Sequence, residues 1–136
     1  MGLDPEGKQV LHTGHPDNVV AMEFSPDGRI LATTSYDGVV KLWSTSNWRE
    51  LAVLPGQLTA FFSLAFSPDG KRLAGGGEGI IQLWDLTSRP PQEVGAIHCP
   101  NEIVSQLAFT PDGASLVSAD RATLRAWRAP ALAAIH

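Results

Sequence analysis

Cysteine is nearly absent: Cys99 is the one thiol in 136 residues. That excludes an internal disulfide framework. With no basic cluster beside it in the sequence, the thiol reads as a bystander near a loop, compatible with a reducing cytosol. Long apolar runs are missing as well. No stretch approaches the roughly 18 residues of a membrane span, and Met1 to Lys8 lacks the hydrophobic region of a signal peptide. Runs of Lys or Arg do not occur either, and the formal net charge is -4. A phosphate footprint needs a basic patch, so nucleic acid is not an expected partner. These absences predict a cytoplasmic protein with no membrane and no nucleic acid among its partners.

Signals for chemistry are also sparse. Gly75-Gly76-Gly77 is the densest glycine cluster, but no Lys-Ser/Thr follows it and no helix is predicted after it. It reads as a loosened strand rather than a phosphate loop. His12, His15, His98 and His136 are spread along the chain instead of standing at ligand spacing, so no metal and no cofactor are expected.

What the chain does have is repetition. Phe-Ser-Pro-Asp-Gly at Phe24 to Gly28 returns at Phe66 to Gly70, and as Phe-Thr-Pro-Asp-Gly at Phe109 to Gly113, a period of 42 to 43 residues. A tryptophan follows each glycine by 14 or 15 residues: Trp43, Trp84 and Trp127. The segments before each motif, Val19 to Phe24, Phe61 to Phe66 and Ile103 to Phe109, are short and mostly apolar, as buried strands are. Proline presets φ in the turn, aspartate caps it and glycine tolerates positive φ, so a hairpin follows. Second strands are predicted at Ile30 to Ser35, Arg72 to Gly76 and Ser115 to Ala119. Third strands lead to the tryptophans, at Val39 to Trp43, Ile80 to Trp84 and Thr123 to Trp127. Fourth strands are predicted at Glu50 to Leu54, Glu93 to Ile97 and Leu132 to Ile135. With 43% hydrophobic residues, 13 glycines and 10 prolines, a turn-rich all-β protein is expected.

These residues resemble the WD-repeat β-propeller family, in which a Gly-His opens the repeat and a Trp-Asp closes its third strand. Gly14-His15, Trp84-Asp85 and the Phe-Ser-Pro-Asp-Gly hairpins, which have a bacterial look, carry the likeness over most of the chain. It implies three four-stranded antiparallel blades forming part of a propeller. Residues 8–18 would be an outer strand and lead-in loop, 19–54 the first blade, 55–97 the second and 98–136 the third. The resemblance also implies a buried network of His, Ser or Thr, Asp and Trp within a blade. His15, Ser35, Asp37 and Trp43 supply all four in the first repeat. The second offers Gln57, Gly76 and Glu78 with Trp84, and the third His98, Asp120 or Arg121, and Trp127, so both are incomplete. His15, Ser35 and Asp37 include the residue types of a hydrolase triad, but a buried structural network leaves neither an exposed nucleophile nor an oxyanion hole, and no catalytic residue is expected.

Propellers of this kind close at about four to eight blades, and three blades make only an arc with two bare apolar faces. Two chains would give six blades at about 60° each and three would give nine at about 40°, against about 51° for seven. Self-association into a dimer or trimer is therefore expected if the arc is not one part of a longer propeller. Lys8 to Leu11 and Leu132 to Ile135 both read as outer strands, and the former is expected to latch onto the last blade of a neighbouring copy. Repeat structure so soon after Met1 reads as an excised or engineered piece.

The resemblance implies a non-catalytic scaffold that binds partner proteins through loops on one face. Those positions are Asp17 and Asn18 with Tyr36, Gln57 with Glu78, and Asn101 and Glu102 with Arg121. Trp48 is expected near the opposite face, and Arg89-Pro90-Pro91 is either a stiff strand connection or a short polyproline segment. Two further readings stand beside the scaffold. One is a self-assembling piece whose only partner is itself. The other is a fragment of a larger signalling propeller that binds proteins, or a small ligand in its channel.

Overall fold

The computed structural model describes residues 5–8, 10–15, 18–54 and 60–128. Its strands are β1 (Val19–Phe24), β2 (Ile30–Ser35), β3 (Val40–Ser44), β4 (Glu50–Leu54), β5 (Phe61–Phe66), β6 (Arg72–Asp85), β7 (Gln92–Ile103), β8 (Gln106–Phe109), β9 (Ser115–Ala119) and β10 (Leu124–Arg128). They pair antiparallel into three sheets, ordered β1-β2-β3-β4, β5-β6-β7 and β8-β9-β10. The first strands of the three sheets, β1, β5 and β8, lie side by side.

One turn chemistry is used three times. Ser25 Oγ donates to Asp27 Oδ1 at 2.7 Å, which also accepts the Arg29 N–H at 2.9 Å. Ser67, Asp69 and Lys71 repeat these bonds at 2.6 and 2.9 Å, and Thr110, Asp112 and Ala114 do so at the same two lengths. Gly28, Gly70 and Gly113 sit at φ of 73°, 72° and 74°, where a Cβ would be strained. The bond from the serine or threonine hydroxyl, followed by the backbone N–H, holds each of these aspartates below the usual carboxylate range.

Two apolar cores lie between the sheets. Ala32, Val40, Leu42 and Leu54 of the first sheet pack against Phe61, Leu64, Phe66, Leu73 and Trp84 of the second. On the far side of the second sheet, Ala74, Ile81, Leu83 and Ile97 meet Val104, Leu116 and the flanking Leu107, Phe109 and Trp127. Burying these faces against one another removes them from water, which is the main favourable term holding the stack together.

The predicted strand Leu132 to Ile135, the fourth of the last sheet, lies outside the described residues. Two expectations change. Lys8, Val10 and Leu11 are in no strand, so no outer strand is seen there. In the second sheet the strands predicted at 72–76 and 80–84 follow each other without a break as β6, whose two arms fold back side by side: the Leu86 N–H meets the Lys71 carbonyl at 2.8 Å and the Trp84 ring lies against Gly75, so this sheet too is four strands wide. Glycines at 75 to 77 allow close packing there, and Gly79 at φ of 73° carries the chain through a register shift. Finally, Pro100 to Glu102, expected as a loop, belongs to β7, which crosses the expected boundary at residue 98. Pairing of Ile103 with Glu78, and of the Val104 N–H with the Gly77 carbonyl at 2.9 Å, draws the segment onto β6, and the next strand starts only at Gln106.

Candidate functional site

In the first sheet, Thr33 stands between two rings. Its Oγ1 accepts the Trp43 indole N–H at 2.9 Å and lies 3.0 Å from His15 Nε2. The Thr33 hydroxyl keeps a proton to donate, and the neutral His15 tautomer with its proton on Nδ1, toward the Asp37 carboxylate, accepts it at Nε2. Nδ1 faces Asp37 Oδ2 at 3.7 Å, beyond hydrogen-bonding reach. Asp37 Oδ1 is held by the Ser35 hydroxyl and by the Val39 N–H at 3.0 Å. Burial lowers the His15 pKa from its ordinary value, against the opposing pull of the Asp37 carboxylate. Burial alone would raise that of Asp37, but the bonds from Ser35 and Val39 outweigh it and leave it low.

The bridging hydroxyl is thus Thr33's and not Ser35's, which serves Asp37 instead. The reason is the pleat: Leu31 pairs with Trp43 across the sheet, so Thr33 is the next residue along β2 on the same face, and Ser35 lies one step further away. In the third sheet the same arrangement survives in part, with the Trp127 indole N–H donating to Ser118 Oγ at 3.0 Å. His98 is not beside it; this histidine lies on β7 opposite Ile80 and is exposed.

The surroundings of Trp84 differ from those of Trp43. The residue at Thr33's place is Gly75, and the buried indole packs edge to face on Phe61, with ring centroids 5.4 Å apart at 71°. A Cβ on Gly75 would come within 3.0 Å of Phe61 and 3.1 Å of Trp84. A Cβ on Gly76 would come within 2.5 Å of both Ser63 Oγ and Val104 Cγ1. The glycine run is therefore a close-approach site between strands rather than a loosened one.

Of the positions expected to meet partners, Asp17 and Gln57 lie outside the described residues. Asn18, Glu78, Asn101 and Arg121 are exposed. Tyr36 is 51% exposed and meets Phe62 of the neighbouring sheet edge to face at 6.4 Å, a pairing across sheets that sequence reasoning missed. Asn101, at φ of 68°, and Arg121 converge on a hollow of about 320 Å³ shared with Ile103, Asp120, Ala122 and Thr123. Glu102 does not join them, because its carboxylate is paired with Arg125 Nε. Trp48 sits in a tight turn at φ of 57°. Among the described residues, no three His, Cys, Asp or Glu side chains converge to hold a metal. No helix there is long and apolar enough to cross a membrane.

The bare faces can be compared position by position. Cross-strand pairing puts Met22, Thr33, Lys41 and Val53 on one face of the first sheet, together with Phe24, Leu31 and Trp43. Phe24 is 52% exposed, whereas Phe66 at the same place in the second sheet is 8% exposed under the first. On the opposite faces, Val40 and Ile81 are 0% exposed and their counterpart Leu124 is 74% exposed.

Stacked antiparallel sheets with a tryptophan on the third strand of each define a β-propeller type of repeat protein. Residues 8–44 and 48–85 match the WD domain, G-beta repeat, and the chain belongs to that WD40 family. It is 36% identical to Coronin-7 of Rattus norvegicus over 84 residues, covering 60% of this chain and 9% of that protein. It is 29% identical to the small ribosomal subunit protein RACK1 of Caenorhabditis elegans over 117 residues, covering 83% of this chain and 35% of RACK1. The crystal structure of the RRP9 WD40 repeats superposes with a TM-score of 0.77 at 25% identity, over 86% of this chain and 37% of that one. The chain therefore spans little more than a third, at most, of the proteins it matches here. WD40 proteins generally act as protein-interaction scaffolds rather than catalysts.

Proposed function

We propose that this chain is a non-catalytic, cytoplasmic scaffold: an arc of a WD40 propeller that presents loops to partner proteins and closes its ring with further copies of itself. The observation that carries ring closure is the contrast between Val40 and Ile81, both 0% exposed, and Leu124, 74% exposed. Val40 and Ile81 lie under a neighbouring sheet on strands paired on both sides, whereas Leu124, on the edge strand β10, has no sheet over it among the described residues. Val117, Leu124 and Ala126 correspond to Ala32, Val40 and Leu42, which pack onto Leu64, Phe66 and Trp84 inside the chain. The matching receiver on the first sheet is Met22, Phe24 and Trp43, so a head-to-tail contact between copies would repeat an interface the chain already makes. Such heterologous contacts close into rings when the rotation allows. Partner proteins would meet the ring at Tyr36 with Phe62 and at the Asn101 and Arg121 hollow, since exposed Tyr and Arg are the types that anchor interfaces. The alternative is an arc whose remaining blades come from a longer chain, with proteins or a small ligand bound at its loops or channel.

Absolute mass by light scattering tests ring closure. Dimers or trimers are expected, and Leu124→Asp and Phe24→Asp should each reduce them to single chains while leaving the circular dichroism of a β protein. A soluble, folded single chain at all concentrations would end the self-closure reading and leave the longer-chain alternative.

A further inference from the structure

The perimeter between the first and second sheets holds a groove of about 400 Å³ that none of the preceding roles uses. One wall is β4, the edge strand of its sheet, and the other is the connection from Leu86 to Pro91. Ile30, Leu42 and Ala52 contribute to its apolar floor. Being at the edge, β4 turns a row of backbone N–H and C=O groups outward. Folded proteins usually blunt such edges with lysine or proline, and Leu51 to Leu54 carries neither; Leu51 and Val53 are both more than half exposed. The facing wall cannot satisfy that edge fully, because Pro90 and Pro91 have no N–H to give. The groove has a single charged lining residue, Arg89, which is exposed and makes no ion pair among the described residues. The two nearest acids in sequence stand four residues to either side: Asp85 accepts from Thr87 and Ser88, and Glu93 lies on β7 opposite Trp84.

We propose that this groove binds an extended segment of a partner protein, added as a fifth strand beside β4. The segment carries apolar side chains at alternate positions and an acidic residue that reaches Arg89. Strand addition gives affinity through main-chain hydrogen bonds and specificity through alternate side chains. The apolar floor takes one face of the added strand, and the unpaired guanidinium selects a carboxylate, which it binds in a bidentate fork. The site supplies one partner surface for the scaffold reading but does not depend on ring closure.

The test uses the full chain and a synthetic, end-blocked six-residue peptide of alternating valine and threonine with one glutamate, beside the same peptide with lysine in its place. Hydrogen exchange and amide chemical shifts of Leu51 to Leu54 report strand addition, and fluorescence anisotropy reports affinity. The glutamate peptide should protect β4 amides and bind about fivefold more tightly than the lysine peptide, the effect of one exposed ion pair. Arg89→Glu should reverse that preference, and Leu51→Lys should weaken both peptides. Light-scattering mass should be the same for Arg89→Glu and the parent chain, which separates this site from ring closure. Absence of protection at β4 with millimolar peptide, equal binding of the two peptides, or a change of mass in Arg89→Glu would each overturn the proposal.

Discussion

The first and second sheets surround the tryptophan at the same place with different neighbours. Trp43 hands its N–H to Thr33, which is tied in turn to His15, whereas Trp84 presses its ring against Phe61 over a glycine. One solution is directional and depends on several polar partners being present together. The other depends on the absence of side chains at Gly75 and Gly76. A repeat can therefore keep its shape where close packing against a glycine stands in place of the bridging hydroxyl.

The packed sheet is the more fragile to a small change, and this gives the largest expected effect. Gly76→Ala should destabilise the chain by about 3 kcal/mol, because overpacking forces shifts in surrounding backbone and side chains. The new methyl would meet Ser63 Oγ and Val104 at 2.5 Å, and Ser63 is already committed to the Val104 carbonyl at 3.1 Å. The same alanine scan at Thr34, the equivalent position in the first sheet, starts from a side chain that already has its space. Urea unfolding of the two variants makes the comparison; equal losses would show that the glycine cradle is not what holds the second sheet.

The networked sheet should respond less, and chemically. Thr33→Val keeps the shape of the side chain but leaves the Trp43 N–H and His15 Nε2 buried without their partner, which costs about 2 kcal/mol. Thr33→Ser restores the hydroxyl and should recover most of that loss. If valine and serine are equally tolerated in urea melts, the hydroxyl is not a structural bridge.

How much of this was legible in the sequence differs between features. The Phe-Ser/Thr-Pro-Asp-Gly turns were readable because their bonds are local, running between residues two to five apart. The Thr33 bridge was also within reach. Nine residues after each motif's phenylalanine stand Thr33, Gly75 and Ser118, so counting along the strand finds a hydroxyl in the first and third repeats and none in the second. The resemblance points to Ser35, which shares Thr33's face; distance along the strand from the tryptophan decides which of the two hydroxyls meets it. The length of β7 was not legible: Asn101 and Pro100 look like a loop, and only pairing of Ile103 with Glu78 makes them part of a strand. The Tyr36 and Phe62 contact likewise depends on how two sheets stack, which no local pattern encodes.

Acid should separate the two sheets most gently. The His15 pKa is lowered in the folded chain, so between its ordinary value of 6.5 and that lowered value the unfolded chain binds the proton and the folded chain does not. Stability must then fall as pH drops below about 6.5 and level off once the folded imidazole is also protonated. The lowered carboxylates, Asp27 and Asp37 in the first sheet, Asp69 and Asp85 in the second and Asp112 and Asp120 in the third, act in the same direction but only as pH falls through about 3.8 and below. The upper step depends on His15, in the first sheet, while the lower one is shared by all three sheets. Thermal melts across pH 4 to 8 should show both the upper decline and its loss in His15→Gln, which keeps a polar group near Thr33 without a titrating ring. An upper decline of unchanged size in His15→Gln would place the titrating group elsewhere and remove the polar network as the feature that distinguishes the first sheet in acid.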